Sequence, residues 1–447
     1  MWWQAPWLTE RKALLGLALF DALMITGAYN ALFWYQFNRW AGITGSVATL
    51  IAIWLTLSYL LGRYSRTENK KRLTSIVVVA FTVCIVTMGA TWVGLAKDPR
   101  ALPQFTLPLL ATTTALSALA ERSVQRHIRQ SSIWLLIASS EEAKILLDEI
   151  AQKSSLSRFK LLLCHDSDAA IQRLNQPRQL DGIVIGEQLN LSDELIQELL
   201  QQRNSGQTVL QLMDWCESTL QRIPPELLSS RWLLVSDGFH LRPGQAGWRL
   251  KRLGDLATAT ALFATCLPVM ALAALLIKLD DGGPVFYSQI RTGLYGDPFR
   301  IWKLRSMQTR SERDGAQWAS QDDPRITRIG HWLRRLRLDE LPQLINVIKG
   351  DMSLIGPRPE RPELEASLEQ SIPHYRVRHW IRPGLSGWSQ VSFPYGASTI
   401  DSRIKLSFDL YYLRNFSLAL DLLILLKTIR LVARAEGAIP RAIRKAP

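Results

Sequence analysis

The chain has little that could cross-link it or hold a soft metal. Its four cysteines, Cys84, Cys164, Cys216 and Cys266, stand far apart, which excludes a disulfide framework and a zinc-finger spacing. None of the six histidines falls at a ligand spacing, so a histidine-rich metal centre is excluded too. There is no GxSxG elbow and no P-loop. Where a dinucleotide fingerprint would sit, "IASSEEAK" carries no glycine and two glutamates, the wrong chemistry for a pyrophosphate. Negative charge is also scarce. With 53 Lys and Arg against 39 Asp and Glu, the net charge is +14, which points to an acidic partner or surface.

Long apolar runs are what the chain does have. Four of them, at 13–37, 42–62, 73–96 and 101–120, approach or exceed the ~20 residues that cross a bilayer. No small-residue cleavage site follows the first, so it does not read as a removable leader. Arg11 and Lys12 precede the first run, Arg63, Arg66, Lys70, Lys71 and Arg72 separate the second from the third, and Arg122, Arg126 and Arg129 follow the fourth. The other two loops offer Arg39, Lys97 and Arg100. That asymmetry places both ends of the unit in the cytoplasm, with Trp2, Trp3, Trp7, Trp34, Tyr35 and Trp40 as interfacial anchors. Because the positive charge largely follows this topology, nucleic acid is not an expected partner.

From about residue 130 the texture changes. "SIWLLIAS", "RFKLLLC", "LDGIVIGE" and "QTVLQLM" alternate with helical patterns, as in a Rossmann-like parallel sheet covered by helices. Its nucleotide site is degenerate, and a regulatory or oligomerising role fits it. A fifth apolar run, 253–277, contains Pro268 near its middle. There the ring removes a helical hydrogen bond and can turn the helix back on itself. A kinked true span is the alternative. We expect re-entry, because a site handling nucleotide must face the cytosol.

The chemistry gathers after that run. In "RRLRLDELPQLINVIKGDMSLIGPRPE", Asp339 and Glu340 follow three arginines and open a short helix with Leu341, Leu344, Ile345 and Ile348 on one face. A helix N-terminus favours ionised carboxylates. Pro357 and Pro359 bracket Arg358 and restrict its backbone, while Arg334, Lys303 and Arg305 supply further cations. Guanidinium forks suit phosphate oxygens. Each feature alone has a plainer reading: an acidic pair is usually a cap, "GPRP" an ordinary turn, a basic run a solvated face. Together they describe an arginine-lined pocket with two carboxylates.

"KLDDGGPVFYSQ", "KLRSM", "DPRITRIG", "LDELPQLINVIKGDMSLIGPRPE" and "RPGLSGW", in this order across residues 251–427, resemble the bacterial sugar transferase family of polyprenyl-phosphate hexose-1-phosphate transferases. "QVSFPYGAS" is similar to a subgroup associated with exopolysaccharide assembly. The resemblance implies a mixed-class membrane protein. It would have a four-helix transmembrane bundle (1–129), a Rossmann-like α/β domain (130–240) and a C-terminal α/β catalytic domain (248–447) with a re-entrant membrane helix at 253–277. It implies transfer of a hexose-1-phosphate from a UDP-sugar to undecaprenyl phosphate, with release of UMP. Asp339 would be the nucleophile, Glu340 would help bind Mg²⁺ with it, and Lys303, Arg305, Arg334 and Arg358 would hold phosphates. The catalytic domain would lie on the cytoplasmic side of a bacterial inner membrane crossed by several helices. Homo-oligomerisation is compatible with the sequence, and the sugar is not specified by it. Two departures stand out: Leu267 precedes Pro268 where a serine is usual, and "RTGLYGDPF" has Leu294 and Asp297 in place of basic residues. The last helical stretch, "LALDLLILLKTIRLVARA", is too short in its apolar part to span and would lie at the interface or in the core. A transferase moving sugar without its phosphate, a silent membrane scaffold and a charge-driven binding protein are the rival readings.

Overall fold

A computed structural model describes residues 5–9, 11–64, 72–92, 101–128, 131–151, 159–176, 180–239, 245–309, 323–393 and 398–434. Trp2, Trp3, Arg66, Lys70, Lys71, Lys97, Arg100, Arg129 and residues 394–397 of "QVSFPYGAS" lie outside them. The chain divides into two compact units, one of residues 8–210 and one of residues 211–447 together with residues 1–7.

In the first unit the apolar runs form helices Lys12–Phe37, Gly45–Leu60, Arg72–Trp92 and Ala101–Ile128. They pack around Ile25, Leu50, Trp54, Ile76, Val79, Val83, Leu109 and Leu110. Trp34, Tyr35 and Trp40 are exposed, as anchors would be, whereas Trp7, expected to be one of them, is buried. Arg63 is different. Sequence alone makes it a loop charge, but it is wholly buried, with Asp21 at 3.1 Å and Glu121 at 3.0 Å. Ser58 and Ser117 take its remaining donors at 3.0 and 2.6 Å, and Trp54 and Tyr64 donate to Asp21 at 3.2 and 2.6 Å.

The four β-rich runs become strands β1 (Ser132–Ile137), β2 (Phe159–Cys164), β3 (Gly182–Ile185) and β4 (Val209–Gln211), in the order β2-β1-β3-β4. β1 is parallel to both β2 and β3. At the first turn Glu142 stands where a phosphate would, accepting from the backbone N–H groups of Ser139 at 3.1 Å and Glu187 at 2.8 Å.

In the second unit, residues 211–236 pack against the C-terminal helices. Ile223 donates to the Ser407 carbonyl at 2.9 Å, the Trp388 indole to Gln221 O at 3.0 Å, and Arg403 reaches Glu226 at 3.1 Å. One helix, Ala246–Asp281, runs from there with Pro268 inside it. At 1.5 Å per residue it is about 54 Å long. Among the described residues, this helix and Lys12–Phe37 are the two long and apolar enough to cross a membrane, while Val47–Leu60 and Ser75–Ile85 are shorter apolar stretches. The Ala246–Asp281 helix leaves Leu253, Leu262, Leu267, Leu272, Leu275 and Leu279 exposed, an apolar surface that water does not favour.

Its polar foot explains how it joins the rest. Asp255 accepts from Ser353 Oγ at 2.7 Å and Leu354 N at 3.2 Å, Lys251 reaches Asp421 at 2.7 Å, and Arg252 caps the carbonyls of Val347 and Ile348 at 2.5 and 2.8 Å. Beyond the helix come an antiparallel hairpin, β5 (Phe286–Thr292) with β6 (Pro298–Leu304), and a parallel pair, β7 (Ser353–Ile355) with β8 (Gly384–Ser386). The closing helix Leu418–Ala433 buries Leu420, Asp421 and Ile424 but exposes Leu418, Leu422, Leu426 and Ile429 on its other face.

Candidate active site

Three backbone devices assemble the site. Helix Arg328–Arg335 begins under Thr327, whose hydroxyl accepts from Gly330 N at 2.9 Å. A Cβ at Gly330 would lie 2.0 Å from the Ser306 carbonyl oxygen, so the helix can approach the hairpin only with glycine there. Two residues past the end of the helix, Arg337 takes a left-handed conformation at φ 56°. The chain then enters a 3₁₀ turn, Leu338–Gln343, before helix Leu344–Lys349 stops at Gly350, φ 99°. The expected amphipathic helix is therefore a tighter turn followed by a short helix. Its buried face is Leu344, Asn346 and Val347, because Pro342 and the 3₁₀ pitch rotate Leu341 and Ile345 partly outward.

The second device fixes Arg358. β7 runs into Gly356-Pro357-Arg358, and β8 lies alongside, with Gly356 N donating to Ser386 O at 2.9 Å and Gly384 N to Pro357 O at 2.8 Å. A Cβ on Gly384 would stand 2.0 Å from Gly356 N, and one on Gly387 2.2 Å from Gly356 O. "GPRP" and "RPGLSG" are thus two halves of one close backbone contact. The third device is Arg378. Buried beside Asp409 at 3.0 Å and Tyr375 Oη at 2.6 Å, it donates to the Arg358 carbonyl at 2.9 Å.

These devices bring Asp339 and Glu340, both buried, to face the cations in contrasting ways. Glu340 Oε1 takes Arg358 Nη2 at 2.6 Å and has Lys303 Nζ at 3.8 Å; its Oε2 takes Arg337 Nη1 at 3.1 Å. Burial alone would raise its pKa, but Arg358, Arg337 and Lys303 hold the carboxyl well below the usual carboxylate range. Asp339 receives no hydrogen bond or ion pair among the described residues. Burial, and next the charge of Glu340, push it up to about 6 despite Lys303, Arg334 and Arg337. Burial also lowers Lys303 to about 8, with Glu340 opposing the shift. Buried Arg334 Nη1 has no hydrogen-bond partner among the described residues. A carboxylate left open beside an under-used guanidinium can attack a phosphorus whose oxygens the cations hold.

Of the residues expected here, Asp339, Glu340, Lys303 and Arg358 meet, and Arg334 acts on Asp339 through its charge. Arg305 is placed elsewhere. Its fork grips Asp281 and its Nε donates to Pro284 O at 2.6 Å, bracing the end of the long helix. Pro268, expected to break the helix, lies inside it instead: Ala246–Asp281 is one uninterrupted helix, so no turn back on itself is shown there. Arg337, Arg378, Asp409 and Gln390, whose Oε1 is 3.4 Å from Arg358 Nη1, were not foreseen. The three-residue spacing of Arg337 and Glu340 was the one available signal.

Among the described residues, no group of three or more His, Cys, Asp or Glu side chains converges on a metal position. Mg²⁺ needs fewer, since it binds through one or two carboxylates plus substrate phosphates. Asp339 offers such an oxygen, whereas both oxygens of Glu340 already face cations. The residues present fit an ion shared with a diphosphate and centred on Asp339.

Residues 246–435 match the profile of the family described as bacterial sugar transferase. Over 189 residues the chain is 49% identical to a UDP-N-acetylgalactosamine-undecaprenyl-phosphate N-acetylgalactosaminephosphotransferase of Aeromonas hydrophila, covering 42% of this chain and 45% of that protein. Over 205 residues it is 40% identical to a UDP-glucose:undecaprenyl-phosphate glucose-1-phosphate transferase of Caulobacter vibrioides, covering 44% of this chain and 77% of that one. Over 186 residues it is 39% identical to an exopolysaccharide production protein of Rhizobium leguminosarum, covering 40% and 93% respectively. The match thus spans less than half the length of the Aeromonas protein.

Proposed function

The chain belongs to the bacterial sugar transferase family, and from that premise we propose that it transfers a hexose-1-phosphate from a UDP-sugar to undecaprenyl phosphate. The observation that carries this reading is the split between adjacent carboxylates, Glu340 saturated by cations and Asp339 open. An Asp339 oxygen attacks the sugar-linked phosphorus of the donor. The bond from that phosphorus to the bridging oxygen breaks, and UMP leaves with the electron pair. A phosphate oxygen of undecaprenyl phosphate then attacks the phosphorus held on Asp339, returning the carboxylate and giving the lipid-linked diphosphate sugar. No net proton is required in either half.

Lys303, Arg334 and Arg358 hold the phosphate oxygens, and Arg337 keeps Glu340 ionised so that its charge remains on the cation side of the site. Mg²⁺, when held by Asp339 with Glu340 flanking it, supplies charge neutralisation at the diphosphate. Because donor, acceptor and nucleophile are all anionic, this cationic surround is what lets them approach. Arg305 contributes at a distance, by fixing the end of the long helix.

The relatives named for undecaprenyl-phosphate transfer and exopolysaccharide production support a place at the start of lipid-linked glycan assembly. In this reading the four N-terminal helices cross the inner membrane. The helix around Pro268 dips into the bilayer and returns, and the site faces the cytosol at headgroup depth. The exposed apolar face of Leu418–Ala433 rests on the same surface. The deciding experiment is a nucleotide-release assay over a panel of UDP-sugars with undecaprenyl phosphate. UMP is expected; release of UDP would mean transfer of sugar without phosphate, and release of neither would sink the assignment.

A further inference from the structure

A second cationic site lies away from Asp339, at the foot of the long helix. A cleft there is lined by Trp248, Lys251, Arg252, Asp255, Ser353 and Arg382. Most of these groups are already matched. Lys251 pairs with Asp421, Arg252 caps the helix ending at Lys349, and Asp255 is held by Ser353 and Leu354 N. Arg382 is the exception. Its guanidinium lies 4.6 Å over the Trp248 ring and, among the described residues, has no hydrogen bond or ion pair. Burial, and next the charge of Arg252, lower its hold on its proton even with Asp255 and Asp351 acting the other way, a shift that an added anion would reduce further.

The surroundings select the anion. Trp248 is in the first turn of a helix whose next residues, Leu250, Leu253 and Leu256, are exposed and apolar. A tryptophan stacked with an arginine just before an apolar helix is the arrangement that meets the headgroup layer. A flat guanidinium with all its forks open fits two oxygens of one phosphate. We propose that Arg382 and Trp248 form a binding site for the phosphate of a membrane lipid, separate from the catalytic carboxylates.

This assignment rests on the reading that the Ala246–Asp281 helix enters the bilayer, but not on the chemistry proposed for Asp339. It gives the cleft a task in the fold. β7 starts at Ser353 in the cleft and ends next to Gly356, so a lipid phosphate held at Arg382 sits one short strand from the turn that aims Arg358. The depth of the active site relative to the headgroups would be set there.

The test uses the full chain in detergent micelles, titrated with dihexanoyl phosphatidylglycerol and read by native mass spectrometry. Wild type should retain a lipid adduct. Arg382→Gln should weaken it by about tenfold or more, the worth of a charge-assisted contact, and Trp248→Leu should weaken it less. Equal retention by wild type and Arg382→Gln overturns the proposal. Displacement of the wild-type adduct by inorganic phosphate at constant ionic strength also overturns it, by assigning the cleft to a soluble phosphate. That competition needs no variant to fold. Asp339→Asn should bind lipid as wild type does, so failure of the transferase reading leaves this result standing.

Discussion

The two units each bury a cluster of opposite charges, and the clusters are built to opposite ends. In residues 8–210, Arg63 donates to Asp21, Glu121 Oε2, Ser58 and Ser117, and Asp21 is further tied by Trp54 and Tyr64. Glu121 Oε1 is the atom of this cluster that takes no hydrogen bond among the described residues. In the C-terminal unit, Glu340 is equally well matched, yet Asp339 beside it and Arg334 Nη1 are not. A closed network contributes specificity and, once broken, exposes an uncompensated buried charge. An open one keeps its unmet groups for a substrate. Burial raises the cost of both, and in the open cluster the Gly330 approach, the Gly356, Gly384 and Gly387 contact and the Arg378 side chain hold the groups in place.

The sharpest way to break this comparison is to remove the open carboxylate. Asp339→Asn should lower UMP release by about 10³-fold or more, as loss of a nucleophile does, while the protein stays folded. The sign on stability follows from the raised pKa. A carboxyl whose folded-state pKa lies near 6 contributes stability that is full below its unfolded pKa and lost as pH rises past 6. At pH 7 the amide should therefore be at least as stable as wild type. A variant that loses stability together with activity would put Asp339 in the same class as Asp21.

The closed cluster should respond in the reverse manner. Arg63→Ala leaves Asp21 and Glu121 buried without their cation and should destabilise residues 8–210 by about 3–5 kcal/mol. Replacing all three charges with Leu or Met removes the buried charges but strands the Trp54 and Tyr64 donors, and should cost less than Arg63→Ala without being neutral. Thermal unfolding in detergent, compared with UMP release, separates the effects. If the triple apolar variant lost activity without losing stability, the cluster would not be a purely structural pin.

A smaller effect is expected at Arg378. Lysine keeps the charge but cannot reach Asp409, Tyr375 and the Arg358 carbonyl together. Arg378→Lys should therefore slow turnover by about tenfold through misplacement of Arg358. Unchanged turnover would show that the Gly356, Gly384 and Gly387 contact alone suffices to aim the turn.

The same contrast explains what the sequence could tell. β1 to β4 were legible because short apolar runs bounded by turns are local signals, and the acidic pair and "GPRP" were legible because their chemistry is contiguous. Arg63 was not, since its partners Asp21 and Glu121 come from other helices. Lys303 and Arg305, two apart on a strand, should share a face. β6 ends at Leu304, however, so Arg305 is free to turn to Asp281 while Lys303 stays with Glu340. Arg337 depends on a left-handed residue, and Arg378 on a partner in a distant helix, neither of which leaves a mark in spacing.

The smallest expected effect is also the most specific to the open state. In the proposed mechanism Asp339 must be ionised to attack, and its pKa is pushed up to about 6 by burial and by Glu340. The first half-reaction, a UMP burst with donor and no lipid acceptor, should therefore rise about tenfold per pH unit below the Asp339 pKa, about 6 without metal and lower once Mg²⁺ is held there, and level off above it. Omitting the acceptor matters, because a phosphate monoester itself titrates near pH 6; the donor diphosphate, doubly esterified, does not. Lys303 lowers the Asp339 pKa, so in Lys303→Met the inflection should move to higher pH whatever happens to the plateau rate. An inflection that stayed in place would mean that the ammonium does not act on the attacking group. A flat profile down to pH 4 would mean that the pKa of Asp339 is not raised in the loaded site, and the distinction between the two clusters would then rest on geometry alone.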